Sequence, residues 1–223
     1  MKRLSCTLLI LATLLGMTAC NAPKKNKNEG WQTAYRNYLT EEYQRIKDAE
    51  ETEDASDPSQ TYFDLIYIDE DDVPELIVTE NFSHAGTATL ITWSDGTLRA
   101  FQGLGSNGMV IYSKKKNQFV GHYYGSGNAS YWVYHLDNGN LITDWYGVEQ
   151  DLSWLPEKDT VNYFSFNIAV DQDTFETHYQ RYIPDWFDGL ENCFDDPLNS
   201  DYIGWGKIAL QPEEIERVFR QYN

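Results

Sequence analysis

Residues 63–78 read FDLIYIDEDDVPELIV. An apolar run from Phe63 to Ile68 meets four successive carboxylates, Asp69 to Asp72. The chain then leaves through Val73-Pro74-Glu75 into a second apolar run, Leu76 to Val78. Two short runs rich in β-branched and aromatic residues, parted by a polar turn and a proline, predict two strands joined by an acidic loop.

The pattern continues outward on the C-terminal side. Ser94-Asp95-Gly96-Thr97 and Asp137-Asn138-Gly139-Asn140 are hairpin signals, because Asp-Gly and Asn-Gly accept the positive φ of a type I′ turn. Tyr131–Leu136 and Asn162–Val170 alternate with period two. In the second of these, Phe164, Phe166, Ile168 and Val170 are expected on one face of a single strand. Asp171-Gln172 then turns the chain into Thr174–Tyr182, read as the next strand. Strands in succession joined by tight turns predict an antiparallel meander, and the pattern does not decide between an open sheet and a barrel.

Both ends are helical. Trp31, Ala34, Tyr35, Tyr38, Leu39 and Ile46 recur at three- and four-residue spacing, so one face is apolar, and the acidic stretch 50–58 ends the run. Near the C-terminus, Pro212 suits a first helical position and Glu213 and Glu214 suit the positive end of the helix dipole. Ile215, Val218, Phe219 and Tyr222 form the stripe. The expectation is an α+β domain over residues 31–223, an antiparallel sheet with a helix at each end.

The N-terminus has a different character. Lys2 and Arg3, an apolar run from Leu8 to Leu15, and Gly16-Met17-Thr18-Ala19-Cys20 are the three parts of an export signal over residues 1–20. The apolar run is too short for a permanent span, which needs roughly 20 residues. Small residues just before a cysteine resemble the lipobox of bacterial lipoproteins. That resemblance implies cleavage before Cys20 and diacylglyceryl modification of its sulfur. Residues 21–30, polar and lysine-rich, read as a tether. The implied location is the extracytoplasmic face of a bacterial envelope, either the outer leaflet of the plasma membrane or the outer membrane. Cys6 leaves with the signal and Cys20 takes the lipid, so Cys193 is left without an intramolecular disulfide partner.

Loss of Lys2 and Arg3 with the signal takes the net charge from −18 to −20. Such a balance excludes nucleic acid, whose phosphates it repels, and disfavours broad contact with anionic lipid. Sixteen tyrosines and seven tryptophans are far too many for a disordered chain.

The acidic loop also resembles the Asp-x-Asp-Gly-Asp-Gly-x-Pro-Glu-Leu calcium turns of secreted VCBS and FG-GAP-like proteins, over about sixteen residues. By that resemblance Asp69, Asp71, the Val73 carbonyl and Glu75 are the ligands of a Ca²⁺ ion, a hard cation that takes 6–8 oxygens. Tyr67 stands where the first Asp is expected, and Glu70 and Asp72 replace the two glycines. Without glycine at Asp72, a left-handed backbone is expected there. The same residues also read as an acidic hairpin turn that binds no metal.

Other motifs weigh less. Gly103-Leu104-Gly105-Ser106-Asn107-Gly108 has G-x-G-x-x-G spacing, but a strand rather than a helix follows, which argues against a dinucleotide site. His84, His122, His135 and His178 form no close metal-ligand pair. Trp145, Trp154, Trp186 and Trp205 suit either sugar stacking or core, and the core reading is favoured.

With no catalytic motif, the sequence favours a membrane-anchored, non-catalytic binding module, calcium-stabilised, with a glycan or a protein as its ligand. An extracellular hydrolase with a dispersed site and a purely structural envelope domain are the alternatives.

Overall fold

The computed structural model describes residues 30–49, 60–80, 86–105, 110–125, 127–152, 161–187, 203–204 and 206–222. Cys20, His84, Trp154, Cys193 and Trp205, and most of the tether, lie outside the described residues. The α+β class holds, with antiparallel strands throughout and helices in the N- and C-terminal regions.

Helix α1 spans Trp31–Ala49 and buries Trp31, Tyr35, Leu39 and Ile46, the face set by the helical spacing. Four strands follow as a meander: β1 (Thr61–Ile66), β2 (Glu75–Glu80), β3 (Ala88–Ser94) and β4 (Thr97–Leu104). Strand β12 (Ile208–Ala209) returns beside β1, so the first sheet has the order β12-β1-β2-β3-β4. A second meander comprises β5 (Val110–Ser113), β6 (Gln118–Gly125), β7 (Asn128–Asp137), β8 (Asn140–Asp151), β9 (Val161–Ser165) and β10 (Ile168–Val170). With β11 (Ile203–Gly204) at its edge, the second sheet runs β10-β9-β8-β7-β6-β5-β11. Helix α2 covers Gln172–Tyr182, and α3 covers Pro212–Phe219.

The single expected meander is thus two sheets stacked, and neither closes into a barrel. Side-chain alternation explains the layering. In sheet 1, Phe63, Leu76, Val78 and Ile91 point to α1 and α3 and share a core with Tyr35, Leu39, Ile215 and Phe219. Ile66, Ile77, Ala88 and Leu90 point the other way, onto Val110, Tyr112, Phe119 and Leu136 of sheet 2. The far face of sheet 2 carries Val120, Val133 and Trp145, which pack with Phe175 of α2. Each fully buried aliphatic or aromatic side chain contributes roughly 1.5–3 kcal/mol.

Two local expectations are corrected. Thr174–Tyr182 is helical, within α2. Asp171 caps the helix by accepting from Thr174 N at 2.8 Å, and Phe175, Tyr179 and Tyr182 fall on one face against Trp145. Asn162–Val170 is a hairpin rather than one strand: Phe166 and Asn167 adopt φ of 51° and 62° and reverse the chain between β9 and β10. Phe166 therefore leaves the face assigned to it and is exposed. The type I′ turns form as expected, with φ of 53° and 78° at Asp95-Gly96 and 49° and 70° at Asn138-Gly139.

Candidate functional site

The acidic loop lies where the two sheets meet. Its stem is tied to sheet 2: Lys115 N donates to Tyr67 O at 3.0 Å and Asn117 N to Ile68 O at 2.8 Å, both from the β5–β6 turn. The loop then turns on its own carboxylates. Asp69 Oδ1 accepts from Asp71 N at 3.0 Å, and Asp71 Oδ1 accepts from Val73 N at 2.7 Å, two successive Asx turns. No residue of the loop has positive φ. The left-handed backbone expected at Asp72 is absent because these side-chain bonds shape the turn instead.

Of the four expected ligands, Asp69, Asp71 and Glu75 line one cavity, of about 320 Å³. Val73 is buried in the core beneath α1, where its N–H holds Asp71. Glu70, Asp71 and Asp72 are all exposed. Tyr67, at the position of the missing first Asp, lies under the ammonium groups of Lys114 and Lys115 at 5.9 and 5.3 Å. Among the described residues, no three His, Cys, Asp or Glu side chains converge closely enough to enclose a metal ion.

Electrostatics concentrate on this loop. Glu75 is 4% exposed and its Oε2 accepts from Ile68 N at 2.8 Å. Burial pushes its carboxyl well above the usual range, and the nearby charges of Asp69 and Asp71 push further, against the Ile68 hydrogen bond. Asp71 is also raised, first by burial and then by Asp69, whose charge and side-chain hydrogen bond both favour the protonated form. The Val73 N–H opposes them. The Tyr35 hydroxyl donates to Ile91 O at 3.3 Å, and its phenol is raised by burial and by the charges of Glu75, Asp71 and Asp69.

The opposite wall of the cavity comes from residues read in the sequence only as strand and turn: Thr92, Trp93, Ser94, Asp95, Asn138 and Gly139. Thr92 Oγ1 donates to Gly139 O at 2.7 Å, which locks the β7–β8 turn onto β3. Thr92 and Glu75 sit side by side because Leu76 pairs with Ile91, one residue along each strand. The two Gly-containing turns were the signal available in the sequence; their meeting above the acidic loop follows from the stacking of the sheets.

Among the described residues, His122, His135 and His178 do not join this site. His122 stacks on Tyr131 at 4.9 Å on the α2 side of sheet 2, His135 bonds Asp144 at 2.9 Å, and His178 Nδ1 lies 2.7 Å from Ser165 Oγ. Trp145 is fully buried and donates to Ser165 Oγ at 2.9 Å, and Trp186 Nε1 donates to Gln118 at 3.4 Å, which supports the core reading for both. An aromatic pair not singled out in the sequence, Trp132 and Tyr146, lies on the other face of sheet 2 with rings 5.3 Å apart.

No family model matches the chain, no curated protein matches it, and no solved structure matches it.

Proposed function

We propose that this chain is an extracytoplasmic, lipid-anchored binding module, and that the cavity between the acidic loop and the β3–β4 and β7–β8 turns is its ligand site. The anchor reading rests on the residues around Cys20. The site reading rests on one observation: Asp69 and Asp71, fixed by two successive Asx turns, line one cavity with buried Glu75.

Crowded carboxylates, one of them the buried Glu75, are stabilised by a positive charge. Ca²⁺ suits them, because the donors are all hard oxygens on an exposed loop. Asp69, Asp71 and Glu75 would hold it, and the Val73 carbonyl belongs to the same loop. The ion would offset the mutual repulsion of the three carboxylates. What remains of the cavity is polar, lined by Thr92, Ser94 and Asn138, which fits a hydroxyl-rich ligand such as a glycan.

The test is thermal unfolding of the protein in millimolar Ca²⁺ and in EDTA. The proposal expects a higher midpoint with Ca²⁺, by the linkage of a ligand that binds the folded state alone. The Asp69→Asn, Asp71→Asn double variant is expected to show no difference between the two conditions. Identical midpoints for the unaltered protein would refute the cation reading.

A further inference from the structure

The chain enters the folded domain beside the candidate site. Gly30 precedes α1, and a Cβ placed on it would lie 3.5 Å from the Trp93 ring, on the residue that also lines the cavity. The next residue, Trp31, packs its ring edge-on to Tyr222 at 5.1 Å. Asp69 and Asp71 line that cavity together with Trp93, and their loop is entered through Tyr67. Tyr67 in turn lies beneath Lys114 and Lys115. One end of the molecule therefore holds the start of α1, the acidic loop and the Lys114-Lys115-Lys116 turn.

That turn is unusual in a chain of net charge −18: three consecutive exposed lysines. Lys115 and Asn117 take φ of 57° and 51°, a tight reversal between β5 and β6 that thrusts the lysines outward. Tyr67 lies under Lys114 and Lys115, and Lys115 is 3.4 Å from Asp72. These contacts hold two of the charges at the rim of the acidic loop.

We propose that this end of the domain faces the bilayer and that the Lys114–Lys116 turn docks on anionic phospholipid headgroups. The inference rests on the reading of Cys20 as the lipidated residue. Nine residues separate Cys20 from Gly30, which limits the domain's entry point to within about 35 Å of the anchor even at full extension. Lysine-rich sequence in that segment, at Lys24, Lys25 and Lys27, adds attraction to the same surface. The acidic loop at the same end opposes this attraction and engages Lys115 through Asp72, so Lys114, Lys116 and the tether lysines supply the contact. The cavity then opens into the headgroup layer, and its ligands are molecules held at or near the membrane surface.

The test uses the full-length acylated protein, carrying Cys193→Ser, reconstituted in vesicles of phosphatidylethanolamine and phosphatidylglycerol with a headgroup nitroxide. A fluorophore is placed at Lys116→Cys or at Ile168→Cys. Ile168 is 66% exposed and lies on β10, four strands from β6 across sheet 2, roughly 19 Å away by strand spacing. The inference expects severalfold stronger quenching at 116 than at 168, reduced when Lys114 and Lys115 are both changed to Gln. Equal quenching, stronger quenching at 168, or no effect of the lysine changes overturns it. Mass spectrometry of the N-terminal peptide separates the two readings. A Cys20 that carries no acyl chain refutes the anchor, whereas an acylated Cys20 with the reverse quenching pattern refutes the orientation alone.

Discussion

The Asn117 side chain clamps the backbone of Leu136 from both sides: its Nδ2 donates to Leu136 O and its Oδ1 accepts from Leu136 N, each at 2.8 Å. Because Asn117 N also donates to Ile68 O, one residue joins the stem of the acidic loop, the β5–β6 turn and strand β7. Asn tolerates the φ of 51° that this position requires. Asn117→Ala is expected to lose both side-chain bonds and to strain the backbone, at about 2–4 kcal/mol by urea unfolding. Asn117→Gly relieves the strain but not the lost bonds, so it is expected to fall between the two. A glycine variant as stable as the unaltered protein would show that the clamp contributes nothing.

His122 carries the clearest acid sensitivity away from the loop. Burial against Tyr131 and Phe187 lowers its imidazole below the free value of 6.5. The unfolded chain therefore binds the proton first as pH falls, and the stability linked to His122 is present in full above pH 6.5 and is lost as pH drops through its folded value. His122→Phe keeps the ring packing and removes the titration. The difference in midpoint between the variant and the unaltered protein is expected to grow in the variant's favour from pH 7 to pH 5. A constant difference would contradict the assignment.

Ser165 is 2% exposed and receives the indole N–H of fully buried Trp145. Ser165→Ala leaves that donor buried without its acceptor, and the expected loss is about 1–3 kcal/mol in urea. Ser165→Cys, which restores a weak acceptor, is expected to recover part of it.

Two glycines are fixed by what lies against them. A Cβ at Gly147 would overlap the Trp145 ring, and one at Gly206 would overlap the Tyr62 carbonyl on β1. A ring can shift, whereas β1 is held by β2 and β12 on both sides. Gly206→Ala is therefore expected to destabilise more than Gly147→Ala, which as an overpacked core site should lose about 1–3 kcal/mol. The reverse order in matched unfolding curves would mean that the β1 backbone yields more readily than the core.

Much of the fold could be read from residue spacing alone. The stripe through Trp31, Tyr35, Leu39 and Ile46 gave α1, Pro212 and the stripe after it gave α3, and Asp-Gly and Asn-Gly placed two hairpin turns. Thr174–Tyr182 misled because Thr and aromatic residues favour strands, although Phe175, Tyr179 and Tyr182 already stood at helical intervals after a capping Asp171. Phe166 misled because an aromatic residue in period two rarely sits at positive φ. Half of the candidate site was visible as a run of carboxylates. The other wall was not, since Thr92 and Gly139 come together only when two sheets stack, and local pattern carries no information about that packing.

The most direct test of the account is calorimetric titration of Ca²⁺ into the purified protein, beside the Asp69→Asn, Asp71→Asn variant verified as folded by circular dichroism. A saturable single-site heat, with affinity on the order of 10⁻⁴ to 10⁻³ M as in extracellular modules, is expected for the unaltered protein and none for the variant. Absence of heat in the unaltered protein, or equal heat in both, would contradict the assignment of the acidic loop as a cation site.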